Sequence, residues 1–267
     1  MNRIDATFAR LRANGRKAFI PYITAGDPTL ARTRELVPAL ERAGADILEL
    51  GIPFSDPLAD GKTNQEAAER ALKHQVTLAD VIGLVREVRS VTQMPLLFFT
   101  YLNPVFQYGF DRFARDAAGA GVDGVLALDM PPEEAAPLKA ALDATDVRTI
   151  FLAAPTSTEQ RIRLIAGMAS GFIYYVSRTG VTGEQASVAG DLAEHIALVR
   201  KHSNLPVAVG FGVSTADHVR AIADVADGVV VGSAIVRRIG QGGDTAAMVR
   251  DVESFARSLA EPLRKKG

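Results

Sequence analysis

The sequence alternates eight short apolar segments with longer amphipathic ones, and this alternation restricts the possible folds most strongly. The longer segments repeat apolar residues at the three- and four-residue spacing of a helix. Short apolar strands that alternate with helices are typical of a parallel sheet whose faces are covered by helices. The predicted strands are residues 18–24, 46–50, 95–100, 124–128, 148–152, 172–176, 207–209 and 228–231.

Helical patterns fill the intervals, and three helix-to-strand junctions form a weak internal repeat. Residues 43–46, 120–123 and 225–227 each end a helix and place an aspartate where the next strand begins. In the first two, a glycine can take the left-handed conformation that often ends a helix. The predicted helices are residues 29–43, 63–72, 78–90, 110–119, 132–142, 158–168, 189–201 and 215–223, with additional helices at 2–13 and 245–264.

Eight strand–helix units within 267 residues favour a closed (β/α)8 TIM barrel, formed as a single domain over residues 1–267 with an additional N-terminal helix and extra loop helices. The alternative is an open, doubly wound sheet. That fold favours a G-x-G-x-x-G turn after the first strand, and residues 24–28 lack this spacing. In a barrel, the long segments after strands two, three and six open onto the C-terminal face, where catalytic residues lie.

The composition excludes several classes of function. Thirty basic residues against 31 acidic ones give a net charge of −1, which argues against a nucleic-acid binder. The absence of cysteine excludes disulfides, a thiolate nucleophile and a cysteine-based zinc site. We find no secretory leader and no apolar run of the roughly 18 residues that a membrane span needs. We therefore expect a soluble, cytoplasmic protein.

Two carboxylates on one strand-and-loop unit are the candidate catalytic pair. Glu49 lies near the end of the second apolar strand, where desolvation of a charge costs several kcal/mol unless it is offset. Asp60 follows in a loop rich in proline and glycine. The pair is typical of acid–base chemistry in a cleft. A hydrogen-bonded structural glutamate and a turn aspartate are the alternative interpretation.

Glycines after the last two strands predict a phosphate site. They let the backbone approach an anion closely, and the helix that follows Gly232 directs free N–H groups toward it. The loops after strands seven and eight are the usual phosphate site of this barrel. Glycines that serve only tight turns are the alternative. The candidate residues are Gly210, Gly212, Gly232 and Ser233.

Other loops and strand ends complete the predicted site. Residues 177–185 after strand six combine glycines with hydroxyls and suit a lid over a small ligand. The four histidines form no metal-binding spacing, so no metal is expected. Lys62, beside Asp60, is a weak candidate for a Schiff base. An apolar wall is predicted from Tyr22, Phe99, Leu126, Leu128, Leu152 and Tyr174.

These features predict proton transfer on an apolar phosphate ester. Isomerisation, epimerisation and retro-aldol cleavage all remain open on the residues alone.

The sequence resembles the alpha-subunit family of tryptophan synthase nearly end to end. The resemblance is most specific in residues 21–28, 49–61, 177–183 and 210–212. It implies cleavage of indole-3-glycerol phosphate to indole and D-glyceraldehyde 3-phosphate in tryptophan biosynthesis. The residue matching Glu49 would move protons at indole C3 and the glycerol hydroxyl, and the residue matching Asp60 would stabilise the charge at the indole N–H.

The resemblance also implies a partner and further site residues. The chain itself would hold no cofactor, and a pyridoxal-phosphate beta subunit would receive indole within an alpha2-beta2 heterotetramer. The implied pocket, lid and phosphate site add Tyr101, Thr182, Gly183 and Phe211. The expected partner contacts are Asp56, Pro57, Asn103, Pro104, Asp129 and Pro131.

One segment departs from the family pattern. After Gly61 the family commonly has proline and an aliphatic residue, whereas this chain has residues 62–65, Lys-Thr-Asn-Gln. Loss of the proline predicts a looser loop, and Lys62 is expected to attract Asp60. The alternatives in other classes are a catalytically idle barrel that only activates a partner, a stand-alone indole-releasing lyase, and a phosphate-binding isomerase or epimerase.

Overall fold

The computed structural model describes residues 1–177, 185–210 and 212–264, and its eight parallel strands close into a barrel. Each strand pairs with the next along the chain, and the last pairs with the first, so the predicted barrel is confirmed and the open sheet is wrong. The strands are β1 (Ala18–Thr24), β2 (Leu48–Gly51), β3 (Leu96–Thr100), β4 (Gly124–Ala127), β5 (Arg148–Ala153), β6 (Ile173–Val176), β7 (Val207–Gly210) and β8 (Gly228–Val231).

Helices surround the barrel, and none in the described ranges is long and apolar enough to cross a membrane. A 3-10 turn, Pro132–Glu134, precedes the seventh helix. The helices are α1 (Arg3–Ala13), α2 (Leu30–Ala43), α3 (Lys62–Leu72), α4 (Leu78–Val88), α5 (Leu102–Tyr108), α6 (Phe110–Ala120), α7 (Ala136–Asp143), α8 (Glu159–Met168), α9 (Gln185–His202), α10 (Ala216–Ala223), α11 (Ser233–Gly242) and α12 (Ala246–Arg264).

Three sequence-based boundaries are wrong, each for a local reason. The predicted helix 132–142 is split, because Pro137 has no N–H to donate one turn back and tolerates only the first turn of an α-helix. Helix α5 lies where a long loop is predicted; it has only seven residues, too few for an apolar repeat to be visible. Helix α9 begins at Gln185, inside the segment assigned to the lid.

Helix α1 closes the N-terminal end of the barrel. Ile4, Phe8 and Leu11 are buried in one apolar cluster with inward-facing strand residues such as Ile20. The Asn2 side chain accepts the Ile4 N–H at 2.8 Å and caps the helix. This closure leaves the opposite, C-terminal end of the barrel available for a ligand.

The repeated aspartates at the helix-to-strand junctions tie neighbouring strands together. Asp46 accepts the backbone N–H of Phe19 at 3.1 Å, and Asp227 accepts that of Val207 at 3.0 Å. Asp123 likewise accepts the N–H of Leu96 at 2.9 Å. Each carboxylate therefore satisfies a donor at the start of a strand, which explains the repeat.

Asp123 also forms the most buried ion pair of this repeat, and we expect its loss to destabilise the fold. Its carboxylate lies 2.7 Å from Arg89 and 2.9 Å from Arg3. Asp123→Ala leaves the mostly buried Arg89 guanidinium unpaired, so we expect a loss of about 3–5 kcal/mol in the free energy of unfolding by urea titration. Asp217→Ala removes an exposed pair with Arg220 and should cost about 0–1 kcal/mol. Equal losses in both variants would contradict this assignment.

Candidate active site

Glu49 lies at the centre of the C-terminal half of the barrel. It is fully buried on β2, in register with Tyr22 on β1 and Leu97 on β3. Neither carboxyl oxygen has a hydrogen-bond partner among the residues that the structure describes. Burial without compensating donors raises the pKa of Glu49 well above its usual range. The environment therefore favours the protonated carboxyl, the form that can give up a proton.

Two tyrosines flank Glu49, and two glycines make room for them. A β-carbon at Gly51 would collide with the hydroxyl of Tyr22, and one at Gly210 would collide with the hydroxyl of Tyr174. Burial raises the pKa of both tyrosines, and for Tyr22 the Asp60 carboxylate raises it further. Both tyrosines are consequently neutral and present ring faces and hydroxyls to the site.

Asp60 is held at the rim of the site by its neighbours. The Tyr101 hydroxyl donates to the Asp60 carboxylate at 3.0 Å and accepts the backbone N–H of Ala59 at 3.0 Å. The Gln65 side chain donates to the Asp60 carbonyl at 2.9 Å. Burial raises the pKa of Asp60, while hydrogen bonds from Tyr101 and Asn64 oppose that rise. These donors favour a carboxylate in a fixed position.

A cavity of about 410 Å³ joins these groups, a volume suited to a small-molecule ligand. Tyr22 and Phe99 pack edge to face in its wall, with ring centroids 5.0 Å apart. The predicted residues that line it are Tyr22, Glu49, Asp60, Phe99, Leu128, Leu152, Tyr174, Gly212, Gly232 and Ser233. A larger cavity of about 520 Å³ lies at the N-terminal end and contains none of the predicted site residues.

Three predicted site residues lie nearby but do not line the cavity. Leu126 faces the barrel interior two residues before Leu128 and is therefore deeper in the core. Tyr101 does not line the cavity, and its hydroxyl donates a hydrogen bond to Asp60. Gly210 makes room for the Tyr174 hydroxyl, so its role is steric.

Other predicted site residues lie elsewhere or are not described. Thr182, Gly183 and Phe211 lie outside the described residues, as does the segment 178–184 of the predicted lid. Asp129 accepts the N–H of Leu102 at 2.7 Å, at the start of α5. Asp56, Pro57, Asn103, Pro104 and Pro131 lie on loops or helix ends that follow the C-terminal ends of β2, β3 and β4.

The cavity wall contains residues that sequence analysis did not select. Asn64 and Arg237 supply polar groups, and Val176 and Val230 supply apolar ones. Arg237 lies one helical turn after Ser233 on α11. Residues four apart are neighbours on a helix surface, so this spacing could have indicated that Arg237 lies near the predicted phosphate site. The sequence does not distinguish Val176 and Val230 as cavity residues, because valine is common in any buried strand.

Lys62 is not paired with Asp60. Its side chain is 90% exposed, and its ammonium lies 3.9 Å from the Glu66 carboxylate. A Schiff-base lysine needs desolvation, so this exposure argues against that chemistry. Among the described residues, no group of three or more histidine or acidic side chains is placed to hold a metal ion.

Comparison with known proteins supports the resemblance seen in the sequence. The family model described as "Tryptophan synthase alpha chain" matches residues 8–264. The tryptophan synthase alpha chain of Solibacter usitatus is 51% identical over 97% of both chains, and that of Geobacter sulfurreducens is 50% identical over 98% of this chain and 99% of its own.

Solved structures agree with this assignment. The alpha chain from Legionella pneumophila subsp. pneumophila superposes with a TM-score of 0.91 at 38% identity, covering 100% of this chain and 99% of its own. A chain of the tryptophan synthase complex from Pyrococcus furiosus has a TM-score of 0.84 at 36% identity, covering 92% and 99%. The chain therefore belongs to the tryptophan synthase alpha chain family.

Proposed function

We propose that this chain cleaves indole-3-glycerol phosphate to indole and D-glyceraldehyde 3-phosphate, the alpha reaction of tryptophan synthase. The observation that carries the proposal is a buried Glu49 without a hydrogen-bond partner among the described residues and a hydrogen-bonded Asp60, both on the wall of one apolar cavity. Family membership supports the same chemistry. A catalytically idle barrel is disfavoured because both acids line the cavity.

The two acids suit the two charges that develop in a retro-aldol cleavage. Glu49 donates a proton to indole C3, which places positive charge on the indole nitrogen. Asp60 stabilises that N–H cation. The Glu49 carboxylate then takes the proton of the adjacent glycerol hydroxyl, the C–C bond breaks as the aldehyde forms, and its electrons restore the indole ring. Glu49 ends protonated again, so the cycle needs no cofactor in this chain.

The N-terminus of α11 is the proposed phosphate site. Gly232 and Ser233 line the cavity where this ten-residue helix begins, and its first N–H groups have no intrahelical partners. Gly212 lines the same cavity from the loop after β7. The site would hold the phosphate while the indole ring lies against Phe99 and the apolar wall.

We expect Gly232→Val to weaken phosphate binding selectively. A β-carbon at Gly232 would lie 3.6 Å from Tyr22, an ordinary contact, so Gly232→Ala is the matched control. The two methyl groups of valine extend further into the anion position. We expect KM for indole-3-glycerol phosphate to rise about tenfold or more in the valine variant, the size of one lost charge-assisted hydrogen bond. Equal loss of free-indole binding would point instead to general collapse of the site.

The proposal includes a beta subunit that docks on the C-terminal face in an alpha2-beta2 heterotetramer and carries pyridoxal phosphate. A related structure is that of a tryptophan synthase complex, from Pyrococcus furiosus. Two apolar side chains on this face are exposed to solvent, Leu58 by 90% and Phe106 by 63%. A cytoplasmic location is part of the same proposal, since a cysteine-free chain is compatible with a reducing compartment.

We expect Phe106→Ser to weaken the complex with a beta subunit by about tenfold or more, because truncated aromatic anchors commonly cost over 1 kcal/mol. Val91 is also 63% exposed but precedes β3, at the opposite end of the barrel, so Val91→Ser is the matched control. The measurement is the alpha–beta dissociation constant by calorimetry. Equal constants for the two variants would place the partner on another face.

Incubation of the purified chain with indole-3-glycerol phosphate tests the proposed reaction. We expect free indole, detected by chromatography, at a low rate for the chain alone and a higher rate with a beta subunit. Full activity without a partner would favour a stand-alone lyase. A rearranged phosphate ester with no indole would favour the isomerase or epimerase.

A further inference from the structure

A cation that sequence analysis did not select lies beside the proposed phosphate site. Arg237 is on α11 and lines the cavity together with Gly232 and Ser233. Long side chains on a helix lean toward its N-terminus and cover the preceding turn. This direction brings the Arg237 guanidinium toward the turn where a phosphate would bind.

The charge of Arg237 is not committed to an ion pair. Within the described ranges, no carboxylate lies within salt-bridge distance of it. The next residue, Arg238, is different: it pairs with Asp251 at 2.9 Å and lies 4.0 Å from the Phe255 ring centroid. Arg238 thus has a role in packing α11 on α12, whereas no such contact explains Arg237.

Lys62 lines the same cavity from a second helix. It is the first residue of α3, where a positive charge opposes the helix dipole and lowers helix stability. Its contact with Glu66, at 3.9 Å, is long and exposed, so it contributes little. Helix stability therefore does not explain a lysine at this position.

The cavity has a negative group of its own, which an anionic substrate must approach. Asp60 lies at the rim with its carboxylate hydrogen-bonded to Tyr101. A phosphate ester that carries two negative charges is repelled by such a group unless cations nearby offset it.

We propose that Lys62 and Arg237 form a cationic entrance to the cavity that captures the phosphate group of the substrate. This inference rests on the proposed function for the identity of the substrate. Arg237 acts at the phosphate position, and Lys62 attracts the incoming anion from the rim above Asp60. The pair accelerates binding and lowers KM, and it takes no part in the proton transfers.

The test compares Arg237→Gln, Lys62→Gln and the double variant over a range of ionic strength. We expect kcat/KM of the double variant to fall about tenfold at low salt, mostly through KM, and to return to within about twofold of wild type at high salt, where charges are screened. Arg237→Gln should account for the larger part. Arg250→Gln removes the same charge from α12, away from the cavity, and is the matched control.

The outcomes separate this inference from the proposed function. A loss that does not depend on salt, or an equal loss in Arg250→Gln, would overturn the cationic entrance. An unchanged kcat/KM in the double variant would also overturn it. If wild type releases no indole, the lyase proposal fails, and calorimetric binding of glycerol 3-phosphate then tests the entrance. Weaker binding in the double variant supports it, and equal binding refutes it.

Discussion

Glu49→Gln is expected to lower indole release by about 10²- to 10⁴-fold, the range contributed by a positioned acid–base group. Glutamine keeps the shape of the side chain but has no proton to transfer. The measurement is kcat for indole-3-glycerol phosphate, with binding of glycerol 3-phosphate as the control for an intact site. Activity within about threefold of wild type would exclude Glu49 as the proton donor.

The same substitution should stabilise the fold at neutral pH. Because the folded pKa of Glu49 is raised above the ordinary value of 4.5, the folded protein retains a proton that the unfolded chain releases. The stability of wild type therefore decreases as pH rises from about 4.5 toward the folded pKa, and glutamine removes this loss. We expect the Tm advantage of Glu49→Gln to grow with pH over that window. A destabilised variant at every pH would instead indicate a structural glutamate.

Asp60→Asn is expected to lower kcat by about 10²-fold or more, because an amide does not neutralise the positive charge on the indole N–H. The amide oxygen also accepts a weaker hydrogen bond from the Tyr101 hydroxyl than the carboxylate does. Steady-state indole release at saturating substrate is the measurement, and Asp56→Asn on the same loop is the matched control. If Asp60 were only a turn residue, Tm would fall while kcat stayed unchanged.

The two acids also predict a bell-shaped pH profile for kcat. Glu49 acts while protonated, so activity should fall as pH rises through its elevated pKa. Asp60 acts while ionised, so activity should fall as pH decreases through its own raised pKa. Glu49→Gln removes the alkaline limb together with most of the activity, and Asp60→Asn removes the acidic limb.

The sequence predicts the barrel well because its strands are buried on both faces. Apolar runs mark all eight strands, and aspartate junctions precede three of them. Asp123 shows why these junctions repeat, because its carboxylate accepts the N–H of Leu96 at the start of the neighbouring strand β3. Helix α5 is not predicted because seven residues including Pro104 carry no visible period. At its start, the Leu102 N–H donates to the Asp129 carboxylate, and this contact joins residues that are far apart in the sequence.

The site is predicted less completely than the fold, because the sequence does not show how deep in the barrel an inward-facing side chain lies. Alternation along a strand places both Leu126 and Leu128 inward, but it does not tell which of them reaches the cavity. Gly210 is similar, because its function is to leave space for Tyr174, a residue on a neighbouring strand. Arg237 is missed because a surface arginine on a helix is usually only a solvated charge.

Cleavage in heavy water tests the proposed retro-aldol reaction, since it follows both the bond that breaks and the proton that Glu49 delivers. The purified chain is incubated with indole-3-glycerol phosphate in D2O, and products are quantified by NMR, with indole alone in D2O as the control for background exchange. We expect equal amounts of indole and D-glyceraldehyde 3-phosphate, with one deuteron at indole C3. A rearranged phosphate ester without indole, or indole without deuterium at C3, would contradict it.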